Sequence, residues 1–222
     1  MLRAMALRSV TQHLGHLPLF PLPEALLFPT MRMPLHIFEP RYRQLVRDAR
    51  SDQLPIAIGH IKKSSHATGG VVPVYPVVGA GFIDEIEELP DGRFMIVLVG
   101  EARVQIVTEK TTTQPYRVVV GERLVDCVTS SEQNRTALQG LRRMILALHQ
   151  TEPRVASALT GAIGERTSAG DVANVLGSLL HAEPQLRQSW LEEVNPVARL
   201  QAVTEALGTF MAERSEGRLT LN

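Results

Sequence analysis

Two rhythms divide the chain near residue 130. Before that point, short runs rich in Val, Ile and Phe are broken by Gly and Pro, which is how strands and turns are punctuated. The runs predict strands at Leu17–Leu19, Met33–Phe38, Pro55–Ile61, Tyr75–Glu88, Arg93–Glu109 and Tyr116–Val125. Between the fourth and fifth, Leu89-Pro90-Asp91-Gly92-Arg93 is a hairpin turn: Pro90 presets φ, and Gly92 accepts a positive φ. Phe94, Ile96 and Leu98 share one face of the returning strand and Met95, Val97 and Val99 the other, so burial on both faces is expected. Gly79, Gly81 and Gly100 fall inside strands and suit the bulges or bends of a closing barrel. Strands at this spacing favour a small barrel over an open sheet.

One helix interrupts the strands. Pro40 sits at its first position, where a missing N–H costs nothing, and Tyr42, Leu45, Val46 and Ala49 follow at helical spacing. Arg41, Arg43, Arg47 and Arg50 are expected on its solvated face. After residue 130 the period is helical throughout. Ser130 and Gln133 form a capping box ahead of Leu138, Leu141, Ile145 and Leu148. Further helix starts fall at Pro153, Ser168, Pro184 and Asn195-Pro196, which makes five helices and a compact bundle. The expected organisation is a flexible arm over residues 1–13, a barrel over 14–128, a bundle over 129–214 and a tail over 215–222.

Composition narrows the chemistry. The 222 residues are 44% hydrophobic and 21% charged, within the globular range. Lys and Arg number 23 against 23 Asp and Glu, and the balance holds locally (14 against 13 through residue 127, 9 against 10 beyond). That is not the basic excess of a nucleic-acid footprint. A single cysteine, Cys127, excludes an intramolecular disulfide, favours a cytoplasmic setting and reads as a small buried hydrophobe. No apolar run approaches the ~20 residues that span a bilayer, so no membrane partner is expected.

Catalytic signatures are missing. There is no GxxxxGK[ST] loop, and Lys62, Lys63 and Lys110 are the only lysines. The seven histidines make no HExxH or i, i+4 pair, and no GxSxG elbow occurs, so no metal, cofactor or enzyme activity is expected. Asp84, Glu85, Glu87 and Glu88 fit a solvated strand face rather than a pair of catalytic carboxylates.

The most informative stretch is LPLFPLPEALLFPTMRMPLHIFEPRYRQLV, from Leu17 to Val46. With Val78-Gly79, the LPDGR turn, Val99-Gly100-Glu101-Ala102-Arg103-Val104 and Asn195-Pro196-Val197-Ala198-Arg199-Leu200, it resembles the LON substrate-binding domain. That is the non-catalytic N-terminal domain of ATP-dependent Lon proteases, which also occurs alone and in cereblon-like proteins. The resemblance runs from about residue 14 to 211 and is most specific at PLHIFEPRY, Pro34 to Tyr42. It implies an α+β chain, with a PUA-like small β-barrel followed by a C-terminal helical bundle. It also implies a module that captures unfolded or degron-bearing polypeptide, with a protease or chaperone as partner, without ATPase or protease domains of its own. Ser168-Ala169-Gly170 echoes the catalytic serine tripeptide of Lon proteases, but no Asp-Gly-Pro precedes it and no lysine follows, so it reads as a helix cap.

The candidate polypeptide-binding residues are Leu35, Ile37, Phe38, Glu39, Arg41 and Tyr42. Pro18, Pro21, Pro23, Pro29, Pro34 and Pro40 are expected to hold an extended, poorly hydrogen-bonded segment around them, leaving an apolar groove or a strand edge open to an extended peptide. Leu35, Ile37 and Phe38 suit core positions better than an exposed ligand surface, and Glu39 with Arg41 suits an ion pair or cap at the helix start better than recognition. PUA-like barrels elsewhere bind RNA, which makes an RNA-binding module the alternative; the balanced charge argues against it. An enzyme site assembled from scattered residues is the third possibility, supported by no constellation in the sequence.

Overall fold

The computed structural model describes residues 9–63 and 72–219, with side chains through residue 212. The chain divides into two compact units, one ending at Leu124 and the other starting at Val125. The first holds β1 (Leu17–Leu22), β2 (Arg32–Ile37), α1 (Pro40–Ser51), β3 (Ile56–His60), β4 (Val77–Glu88), β5 (Phe94–Lys110) and β6 (Arg117–Leu124). The second holds α2 (Ser131–Thr151), α3 (Pro153–Ile163), α4 (Ala169–Leu179), α5 (Pro184–Glu192) and α6 (Pro196–Leu219).

In the first unit the strand order is β2-β5-β4-β3-β1-β6, and β6 also pairs with β5. Five strands therefore form a closed ring of ladders, with β2 attached to the outer side of β5. The 17-residue β5 makes this possible. Its first half pairs with β2 and the hairpin end of β4, its second half with β6 and the start of β4. All ladders are antiparallel except β1 with β3, where β2 and α1 provide the crossover. The proline-rich opening is a paired strand, not the poorly bonded segment the sequence suggests. Pro18 lies opposite β6 only and Pro21 opposite β3 only, so neither missing N–H interrupts a two-sided ladder.

Alternation along the strands builds one core on each face of the sheet. Ile56 and Ile58 join Phe20, Leu45, Phe94 and Ile96 on the α1 side. Ala57 points the other way, into a cluster with Leu17, Leu19, Val78, Val104 and Val119. Val10 belongs to that second cluster, and Glu101 accepts hydrogen bonds from the Ser9 hydroxyl (3.0 Å) and the Val10 N–H (2.9 Å). The expected flexible arm is thus corrected from Ser9 onward: a buried valine and an acid clamp fix a 3-10 turn at Val10–His13. Residues 1–8 lie outside the described residues.

The segment between β1 and β2 buries Leu26, Leu27 and Phe28 and crosses β4 and β5 where they carry glycine. A Cβ on Gly79 would collide with the Leu27 carbonyl, and one on Gly100 with the Phe28 carbonyl. Thr30 N–H donates to Gly100 O at 2.8 Å, and Gly100 N–H returns to Met31 O at 2.9 Å. These glycines serve close backbone passage. Gly81 does mark an irregularity, since the β4–β5 register shifts beside it.

The hairpin turn closes as expected, with Gly92 at φ +76° and its N–H on Leu89 O at 2.8 Å. The burial of β5 departs from expectation. Phe94, Ile96 and Leu98 are buried, but on the opposite face Met95 is 41% exposed and Val97 and Val99 are only half-buried. Of the arginines of α1, Arg41, Arg47 and Arg50 lie exposed as expected, with the Arg47 guanidinium 5.5 Å from the Phe94 ring centre. Arg43 departs: it is half-buried and packs over Gly92 at the hairpin tip.

In the second unit the capping box at Ser130 and Gln133 is present, and Leu138, Leu141, Ile145 and Leu148 are buried. The Ser168 hydroxyl accepts from Asp171 N–H and caps α4. Pro153, Pro184 and Pro196 each open a helix. The fully buried Arg199 donates to both Asp126 carboxylate oxygens (3.1 and 2.8 Å) and to Glu193 O (2.6 Å), tying the segment before α2 to α6. Two expectations fail. Cys127 is exposed, in an irregular segment after β6 whose backbone is held by the Cys127 N–H donating to Val194 O. Helix α6 continues to Leu219, five residues into the expected tail, and residues 220–222 lie outside the described residues.

Substituting Gly100 by Val should cost about 1–3 kcal/mol or more, because the new side chain meets backbone that cannot rotate away. Chemical denaturation measures it; wild-type stability in this variant would show that the close passage is not a constraint.

Candidate functional site

A cleft of about 680 Å³ opens in the first unit beside β2, and all six candidate residues line it. Its formation follows from local sequence. Along β2 the side chains alternate, Arg32, Pro34 and His36 exposed against Met33, Leu35 and Ile37 turned inward. Pro40 then starts α1, so Phe38 and Glu39 form a two-residue corner between a strand and a helix axis. Ile37 is 1% exposed and Tyr42 6%, whereas Phe38 stands 61% exposed. The core reading therefore holds for Ile37, holds in part for the half-buried Leu35, and is overturned for Phe38. The corner turns the Phe38 ring away from the core, and His36 is its nearest aromatic neighbour at 5.9 Å.

Tyr42 contacts both an aromatic ring and a cation. Its ring lies 4.2 Å from that of Phe20, and the Arg41 guanidinium sits 4.6 Å above it. Burial pushes the Tyr42 phenol up from its ordinary pKa. Glu39 is the N-cap residue but makes no side-chain cap; it accepts from Arg41 instead, at 2.8 and 3.0 Å. The ion-pair alternative for this pair is the one realised.

The rest of the lining comes from positions that sequence reasoning missed. The loop after β5 brings Thr111, Thr112 and Gln114, and the end of β5 brings Lys110. These positions are over seventy residues from β2 in the chain. Their only signal is a polar run, Thr111-Thr112-Thr113-Gln114, directly after a long apolar strand. Tyr116 anchors the loop by donating to Asp48 at 2.7 Å, and burial with that bond pushes its phenol up strongly. Arg117 donates to both Glu109 oxygens (2.8 and 2.7 Å) and to Val72 O (2.8 Å). The cleft thus combines an aromatic and aliphatic side with a side of hydroxyl, amide and ammonium donors. No cluster of three or more potential metal ligands exists among the described residues.

β2 has one ladder partner, β5, so its other edge is unpaired among the described strands, and Pro34 removes one backbone donor from it.

A family model for the ATP-dependent protease La (LON) substrate-binding domain matches residues 16–209, which include the cleft and most of the bundle. The chain belongs to that family. Lon protease 2 of Myxococcus xanthus is 25% identical over 193 residues, covering 86% of this chain and 23% of the relative. Lon protease of Trichlorobacter lovleyi is 26% identical over 196 residues, with the same coverage. The chain thus spans about a quarter of the length of the curated relatives it matches. Among solved structures, the N-terminal domain of the Mycobacterium avium complex Lon protease superposes with a TM-score of 0.68 at 14% identity, covering 86% of this chain and 97% of that one. A Lon N-terminal domain protein from Xanthomonas campestris gives 0.58 at 24% identity, covering 84% and 95%. These likenesses show the α+β fold of Lon N-terminal domains. No described helix is long and apolar enough to cross a membrane.

Burial separates the roles of adjacent cleft residues. Phe38→Ala should leave the melting temperature within about two degrees of wild type, since surface substitutions change stability by less than about 0.5 kcal/mol. Ile37→Ala should cost about 2–5 kcal/mol. Early melting of the Phe38 variant in a calorimeter would return that residue to the core.

Proposed function

We propose that the chain is a non-catalytic polypeptide-binding module whose cleft beside β2 receives an extended, apolar stretch of an unfolded or degron-bearing chain. The ring of ladders is read as a PUA-like small barrel, working in the cytoplasm in association with a protease or chaperone. The observation that carries the reading is Phe38: a large aromatic side chain, 61% exposed, at a cleft already lined by Phe20, Leu35 and Tyr42. Exposed aromatic surface in a concave site is characteristic of binding surfaces. Membership of a substrate-binding domain family supports it, as do relatives named Lon proteases.

Burial, not counterion release, drives this association, because the chain's charges balance and two of the cleft's cations are already paired. Affinity for labelled unfolded casein should accordingly change less than about tenfold between about 50 and 200 mM salt, where a protein making several phosphate contacts loses orders of magnitude. Phe38→Ala should weaken it by tenfold or more, the equivalent of burying one aromatic side chain. Neither ATP hydrolysis nor casein cleavage should accompany binding. Fluorescence anisotropy across a salt series tests this directly; steeply salt-dependent RNA binding without polypeptide binding would replace the reading with the RNA alternative.

A further inference from the structure

The charges lining the cleft are unevenly compensated. Arg41 is paired with Glu39, and Arg117 is held by both oxygens of Glu109 and by Val72 O. Lys110, at the last position of β5, lines the same cleft and makes no ion pair among the described residues. Beside it, the exposed side chains of Thr112 and Gln114 are donors without a hydrogen bond to any described residue. Phe20, Leu35 and Phe38 line the cleft with carbon. One uncompensated cation among polar donors, in a cleft whose other charges are paired with each other and whose opposite side is apolar, is complementary to a ligand that is apolar along most of its length and carries one negative charge.

Resting on the polypeptide-binding reading, we propose that the cleft selects polypeptides in which a carboxylate lies close to an apolar anchor residue, the anchor packing on Phe38 and the carboxylate pairing with Lys110. Either an internal Asp or Glu or the free C-terminus of a chain supplies that chemistry. A basic group at the same place meets Lys110 as a like charge and is disfavoured. The selectivity is modest, because Lys110 is solvent-exposed and exposed ion pairs are weak; about three- to fivefold is expected at low salt. It fades as salt screens the pair, leaving the apolar contribution.

Three N-acetylated peptides with one shared aromatic and aliphatic core test the proposal. The first carries an internal Glu near the aromatic residue and a C-terminal amide, the second a free C-terminal carboxylate, the third an amide and no acid. Anisotropy at about 50 mM salt should show the first, the second or both binding about three- to fivefold more tightly than the third, and which one identifies the source of the carboxylate. The preference should vanish in Lys110→Gln and reverse in Lys110→Glu, each read as the ratio of acidic to neutral peptide affinity within one protein. Melting curves confirm that the variants are folded. Equal binding of acidic and neutral peptides, or a preference that survives Lys110→Gln, overturns the proposal and leaves the polypeptide-binding reading standing. If no peptide binds, that reading itself has failed and this selectivity with it.

Discussion

The close passage of Leu27 and Phe28 over Gly79 and Gly100 is the constraint on which the first unit turns. Two backbones lie so near that a single methyl group on either glycine would meet a carbonyl oxygen. The contact is reinforced by reciprocal hydrogen bonds between Gly100 and the Thr30–Met31 backbone. Because the crossing segment leads directly into β2, it sets where β2 joins β5 and which face Leu35 and Ile37 take. Apolar burial of Leu26, Leu27 and Phe28 provides the driving force, and glycine removes the steric obstacle to it.

Helix α1 converts that placement into a rigid corner. Tyr42 stacks against Phe20 of β1, Asp48 receives the Tyr116 hydroxyl, and Arg43 and Arg47 lie on the β4–β5 hairpin. The helix is held at its start, middle and side. With Ile37 buried before the corner and Tyr42 buried after it, Phe38 has no core position within reach and remains at the cleft. The exposed aromatic is a consequence of how the corner is built. It is stable there because its surroundings do not depend on it.

Much of this was legible in the sequence. Strand and helix limits follow from punctuation that acts locally: Pro40, Pro153 and Pro184 start helices, Ser130 and Ser168 cap them, and Gly92 closes the hairpin. The β2–α1 corner stands out for the same reason, since PLHIFEPRY compresses a strand, a turn and a helix start into nine residues. What sequence could not deliver depends on distant partners. Alternation assigns Met95 and Phe94 to opposite faces but not which face is covered. The Val10 anchor, the use of Arg43 by a hairpin fifty residues away, and the polar lining from Lys110 to Gln114 all require the tertiary arrangement. Cys127 departs from the burial usual for a lone cysteine, since its backbone N–H is held by Val194 O while its side chain lies exposed.

Polypeptide held in the cleft between the β2–α1 corner and the loop after β5 would be visible in backbone amide NMR of the protein titrated with labelled unfolded casein. Shift changes and broadening are expected at residues 35–42 and 109–117, with the bundle amides unmoved. Perturbation confined to the helices of the second unit, with the cleft residues unchanged, would contradict binding in the cleft.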